Sequence, residues 1–134
     1  MKIKIPISVG ELVDKLTILD VKLENITDKE KLKDVRHEKE QLEKLYEQFG
    51  GLLAEELSVL RDVLYQTNRG LWFIEDKIRE CERQKDFGAI FIRLARDVYY
   101  TNDKRFETKN KINKITNSDI KEVKSYESYS RSLR

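Results

Sequence analysis

The chain has 134 residues, 39% charged and 39% hydrophobic, with a formal net charge of +2. That length suits one domain around one core and excludes a multidomain enzyme, and so small a net charge argues against a polyanionic partner for the whole surface. No apolar run is long enough to span a membrane, no basic start followed by an apolar block reads as a secretory signal, and the single Cys forbids an intramolecular disulfide. The expected location is the cytoplasm, without membrane association.

One Pro and five Gly among many Lys, Glu, Leu and Ile favour long helices over sheets. At the start, Ile3, Ile5 and Ile7 alternate with Lys2, Lys4 and Pro6, the period of a half-buried strand. A lone strand needs partners for its backbone, so residues 1–7 are expected to form an extended arm that docks on the helices or pairs with a second copy. Ser8 and Glu11 have capping-box spacing and open a helix over 8–26, with a seam of Leu12, Leu16, Leu19, Leu23 and Ile26. Thr27 and Glu30 repeat that spacing and open a second helix over 28–49, closed by Gly50 and Gly51.

A third helix is expected over 52–84. Leu53, Leu57, Leu60, Leu64, Leu71, Ile74, Ile78 and Cys81 share one side, in phase across Gly70, which reads as a weak point inside the helix and not as a reversal. The fourth, over 86–116, carries Phe87, Ile90, Phe91, Leu94, Ala95 and Val98, and a short helix is expected around residues 119–123. From Lys104 to Arg134 there are nine Lys or Arg against four Asp or Glu. That basic end lacks periodicity, and residues 124–134 are expected to be a flexible tail. The fold expectation is all-α: an antiparallel bundle of long helices with an N-terminal arm and a flexible basic C-terminal tail. Unequal seams point to a homodimer.

Chemistry is expected where polar residues interrupt the seams. Asn68, Trp72, Glu75, Arg79 and Glu82 form a stripe beside the apolar face of the third helix. On the fourth, the inward line of Phe91, Ala95 and Val98 turns polar at Asn102, Arg105 and Lys109, and the first helix adds Glu11, Asp14 and Lys15. Charged groups near a core must be paired, because stranding one there costs several kcal/mol. In one reading, Glu75 pairs with Arg79, and Asp14 or Glu11 with Lys15 or Arg105, only to fix helix register. In the other, Lys15, Arg79, Arg105 and Lys109 converge on an anionic small molecule that Glu75, Asp76 and Asn102 orient, the arginines supplying planar forks for carboxylate or phosphate.

Other chemistries have less behind them. His37 stands among Arg36, Glu38 and Glu40, off the apolar line, and reads as solvent-facing, while Cys81 reads as a buried, inert thiol. Tyr99, Tyr100, Tyr126 and Tyr129 lie near lysines, but no nucleic-acid module's signature appears, so nucleic acid is not an expected partner. No cofactor and no metal site is expected.

The runs over residues 6–19 (PISVGELVDKLTIL), 71–79 (LWFIEDKIR), 102–113 (NDKRFETKNKIN) and 118–126 (SDIKEVKSY) resemble an uncharacterised family of small helical proteins from bacteria and their viruses. The resemblance spans nearly the whole chain and implies a polar signature of Glu11, Asp14, Lys15, Trp72, Asp76, Arg79, Asn102, Asp103, Arg105, Lys109 and Asn113. It implies no activity. The family pattern has Arg where this chain has Lys104, which removes a bidentate fork there.

The expected function is binding of an anionic metabolite or nucleotide between helices, and the residues leave catalysis open. Two alternatives stand beside it. One is a coiled-coil-like adaptor for another protein. The other is a metal-dependent all-α nucleotide hydrolase, for which Glu11 and Asp14 have the spacing of one carboxylate pair. A second pair is missing, since the adjacent Glu75 and Asp76 project about 100° apart around a helix.

Overall fold

The structure, a computed structural model, describes residues 1–129. Among them the chain is all-helical, with α1 (Val9–Asn25), α2 (Lys29–Tyr46), α3 (Gly51–Arg83) and α4 (Ala89–Ile115), and no strand. Residues 1–7 form neither helix nor strand, and Ile3 and Ile5 lie exposed. The strand-like period there meets no second strand among the described residues.

Each helix boundary has a local cause. Ser8 Oγ accepts the Glu11 amide at 3.0 Å, the serine half of the expected capping box. At α2 the expectation is corrected by one residue. Asp28, not Thr27, is the N-cap, its carboxylate accepting the Glu30 and Lys31 amides at 2.9 and 3.0 Å. A negative charge suits the positive end of the helix dipole better than a hydroxyl does. α2 stops at Tyr46 instead of Phe49, and Gly51 takes a φ of +60°, the left-handed region open to glycine, as α3 begins. α3 then runs unbroken through Gly70 for 33 residues, about 50 Å at about 1.5 Å per residue.

α4 begins at Ala89 and not at Asp86, because Lys85 has a φ of 56° and the Asp86 carboxylate accepts the Gly88 amide at 3.1 Å, closing a turn. The short helix expected around residues 119–123 is absent. There Ser118 Oγ accepts the Val9 amide at 3.1 Å and donates to the Ile120 carbonyl at 2.7 Å, which bends the chain across the start of α1. Beyond that bend, Lys124 pairs with Asp103, and the Tyr129 ring lies 5.8 Å from Tyr99 and 4.9 Å from Tyr100. The expected free tail over 124–134 is therefore seated on α4 as far as Tyr129, and its last residues, 130–134, lie outside the described ones.

α1 is the central element, in contact with each of the other three helices, while α3 also packs on α4. The seam read from its leucines is accordingly too narrow. Leu12, Leu16 and Leu19 are buried, and so are Val13, Asp14, Thr17 and Val21. Val13, Leu57, Leu64 and Ile112 form the inner cluster, with Tyr46 and Phe49 against it. Each such aliphatic side chain contributes roughly 1.5–3 kcal/mol by leaving water. On α4 the expected line also shifts. Ile90 and Ala95 are exposed, whereas Leu94, Thr108, Lys109, Ile112 and Asn113 are buried. Lys109, expected on the inward line, is thus inside, and Asn113 joins it there. Away from them, Arg61 of α3 ties α1 to α2, reaching Asp20 at 3.3 Å and Glu43 at 2.6 Å.

Candidate functional site

Two helix faces that would be apolar in a plain bundle carry polar groups, and they meet. Asp14 is wholly buried on α1, and its two carboxylate oxygens receive Arg105 of α4 side-on: Nε to Oδ1 at 2.9 Å and Nη2 to Oδ2 at 2.5 Å. Asn68 of α3 donates through Nδ2 to the same Oδ1 and to Thr17 Oγ1, both at 2.9 Å. Thr17 Oγ1 in turn donates to the Asp14 backbone carbonyl at 2.8 Å. Three helices thus converge on one buried carboxylate. The hydrogen bond to Asp14 comes first among the causes that hold the Arg105 pKa above its ordinary value, so this guanidinium keeps its charge at any ordinary pH.

One turn further along, Lys109 is buried between Glu11 at 2.9 Å and Glu122 at 2.7 Å. Burial pulls the Lys109 pKa down, but hydrogen bonds to Glu122 and Glu11 and the charges of Asp14 and Glu11 outweigh it and raise the value above 10.5. A pKa raised on folding stabilises fully below the unfolded value and is lost as pH climbs through the folded one. Above pH 10.5 the wild type is therefore expected to lose melting temperature faster than Lys109→Met. Parallel melting curves against pH would contradict this.

Asn113 and Gly10 fix the N-terminus of α1 against α4. The Gly10 amide donates to Asn113 Oδ1 at 2.7 Å, and Asn113 Nδ2 is buried without a partner among the described residues. A Cβ on Gly10 would stand 2.5 Å from the Lys109 carbonyl oxygen.

Beside this network, and sharing Asn68 and Arg105 with it, lies a recess of about 500 Å³ between α1, α3 and α4. Trp72, Glu75, Asp76, Arg79, Asn102 and Arg105 line it, over walls of Ile18, Val21, Leu71 and Val98. Of the expected site residues, these six come together. Glu75 and Arg79 pair at 3.4 Å in the open, whereas the side chains of Trp72, Asp76 and Asn102 have no partner among the described residues. Arg105 and Asn102 also line a second recess of about 500 Å³, with Lys109, Glu122, Lys124 and Tyr126, and Asp103 borders a third.

The remaining expected residues stand apart from the first recess. Asp14 lies beneath it, Glu11 is taken up by Lys109, and Lys15 sits outside, 3.7 Å from Glu11. Asn113 belongs to the α1 docking contact. Glu11 and Asp14 direct their oxygens to different cations, so they do not form the carboxylate pair that a hydrolase would require. No cluster of three or more His, Cys, Asp or Glu among the described residues is placed to hold a metal ion.

Thr17, Glu122 and Lys124 join the site without being expected in it, and Asn68, expected only in the polar stripe of the third helix, turns out to hold Asp14. Asn68 carries a signal, a buried amide in phase with Leu57 and Leu64. Glu122 and Lys124 carry none, because their segment has no periodicity and each meets α4 through a single charged side chain.

No helix among the described residues is long and apolar enough to cross a membrane. No curated protein and no solved structure matches the chain. A family description does match, over residues 1–132 and so over both the helices that build the recess and the segment that walls its neighbour; the chain belongs to the family of unknown function DUF6165.

Proposed function

We propose that the recess between α1, α3 and α4 binds a small anionic molecule, a phosphorylated or carboxylated metabolite or a nucleotide, with Arg105 receiving its charge. The observation that carries the reading is the half-used guanidinium. Asp14 takes Nε and one hydrogen of Nη2, which leaves the Nη1 edge for a ligand in the recess that Arg105 lines. A fork already held by a buried acid loses little freedom on binding. Glu75 and Asp76 set a further requirement. With Asp14 already balancing Arg105, the lining holds two acids, Glu75 and Asp76, against one further cation, Arg79, so the ligand brings hydroxyl or amino donors for the acids as well as an anion for the arginine. Trp72 and Leu71 give its apolar part a wall.

The same reading takes the helices as an antiparallel bundle, since three short connections join four long elements. It takes residues 1–7 as an extended arm, the basic end as a tail seated beside the site, the cytoplasm as the location and a homodimer as the assembly.

Thermal shift with inorganic phosphate, pyrophosphate, citrate and ATP tests the binding reading. A ligand present at about a hundred times its Kd is expected to raise the melting temperature by about 10 °C. Arg79→Ala and Asn102→Ala, both on the rim, are expected to weaken that shift while leaving the unliganded melt in place. Unchanged melting with all four compounds would contradict the reading. Turnover abolished by both substitutions would add catalysis to it.

A further inference from the structure

The segment after Ser118 adds a second half to the recess. Residues 122–126 close a space of about 500 Å³ against α4, and Asn102 and Arg105 line both it and the recess between α1, α3 and α4. Three residues apart on α4, these two side chains share one face, so the two spaces meet along them. The halves differ in what they offer. In the first, Glu75 is paired with Arg79, while Asp76 is an acceptor without a partner among the described residues, one helical turn from the ring of Trp72. In the second, the one lining acid, Glu122, is taken by Lys109, and the other lining cations are Arg105 and Lys124. Asp14 holds Arg105 and Asp103 holds Lys124, yet neither acid lines this half. A guanidinium has five hydrogens and an ammonium three, so both cations keep donors after their acids are served.

One end of the cleft therefore takes a flat group that donates, and the other takes an anion. A compact anion fills only one of them. A nucleobase with an exocyclic amino group answers the first end, its ring on Trp72 and its amino hydrogens on Asp76, and a phosphate chain answers the second. The sugar between them falls at Asn102, whose amide both donates and accepts. We infer that the ligand is a nucleoside di- or triphosphate, with its base in the first recess and its phosphates running past Arg105 to Lys124. The inference rests on the anion reading above and names the ligand class of that same site.

Titrations of the full chain with ADP and with pyrophosphate test it. Trp72 is the single Trp, so its fluorescence reports on the base end, and calorimetry gives both affinities. ADP is expected to quench Trp72 and to bind at least tenfold tighter than pyrophosphate. Lys124→Ala is expected to weaken both ligands about tenfold and Lys124→Arg to retain them, the size of one charge-assisted hydrogen bond. Asp76→Ala, at an exposed side chain, is expected to weaken ADP by a similar factor and pyrophosphate not at all. Circular dichroism checks the helices of each variant. Equal affinities for the two ligands, unquenched Trp72 with ADP bound, or ADP binding indifferent to Asp76→Ala would overturn the nucleotide and leave an anion site at Arg105. Pyrophosphate binding untouched by Lys124→Ala, or weakened as much by Lys124→Arg, would overturn the second half as the phosphate end. Binding of neither ligand would overturn the anion reading itself and this inference with it.

Discussion

Asp14→Ala is expected to destabilise the folded chain by about 3 kcal/mol, toward the lower end of the range for breaking a buried charge pair. The loss is large because three donors share this carboxylate: Arg105 through two nitrogens, and Asn68 through one. Removing it leaves the Asn68 amide buried with a single acceptor, Thr17, and a guanidinium without its counter-charge. Arg105 retains partial access to water, its side chain being 30% exposed, and that access limits the damage. Urea denaturation of wild type, Asp14→Ala, Arg105→Met and the double variant measures it. The two single losses are expected to exceed the double-variant loss by about 1–3 kcal/mol, the signature of residues acting as a unit. A single-variant cost below about 1 kcal/mol would show that the cluster does not hold the three helices together.

Gly10→Ala is expected to cost about 2–3 kcal/mol, the upper range for forcing one added carbon into a packed contact. The new carbon would stand 2.5 Å from the Lys109 carbonyl oxygen and 2.9 Å from Asn113 Oδ1. The first of these is backbone in the middle of α4 and cannot swing aside, so α1 itself must lift. With it would go the Gly10 to Asn113 hydrogen bond, and the Ser118 contact to Val9 beside it. Gly70→Ala, which meets nothing within 4 Å inside the chain, is the control for any general effect of replacing a helical glycine. Equal urea midpoints for Gly10→Ala and wild type would contradict the close approach of α1 to α4.

How much of the molecule is legible in its sequence follows from the range of each interaction. Ser8 with Glu11, the glycine pair at 50 and 51, and the unbroken phase across Gly70 are contacts or preferences within a few residues, and each appears in the folded chain. Asp28 displacing Thr27 is also local, and there the spacing rule simply offers two adjacent caps. The site is different in kind. Arg105 is legible as a polar residue on an apolar line, and Asp14 is one of the two acids offered to it, but the pair lies 91 residues apart, and spacing along each helix does not choose between Asp14 and Glu11 as its partner. Lys15 shows the same blindness from the other side. It shares a line with Glu11, yet that line turns away from the recess. Spacing misjudges the width of the buried face of α1 because a helix in contact with three others hides polar residues as fully as its leucines, so Thr17 looks like a surface position until its neighbours are known. The segment after Ser118 has no period to read, and side-chain pairs such as Lys109 with Glu122 hold it to α4.

The half-free guanidinium can be observed directly. In a nitrogen-15 spectrum of the arginine side chains, Arg105 is expected to show a slowly exchanging Nε–H before any ligand is added, because Asp14 holds it. Titrating pyrophosphate or citrate is then expected to move the Arg105 Nη signals saturably, together with the Asn102 side-chain amide, while the Arg61 signals stay where they are. Signals of Arg105 that remain still under every anion, or that exchange freely in the unliganded chain, would contradict an arginine fixed by one acid and presented to another.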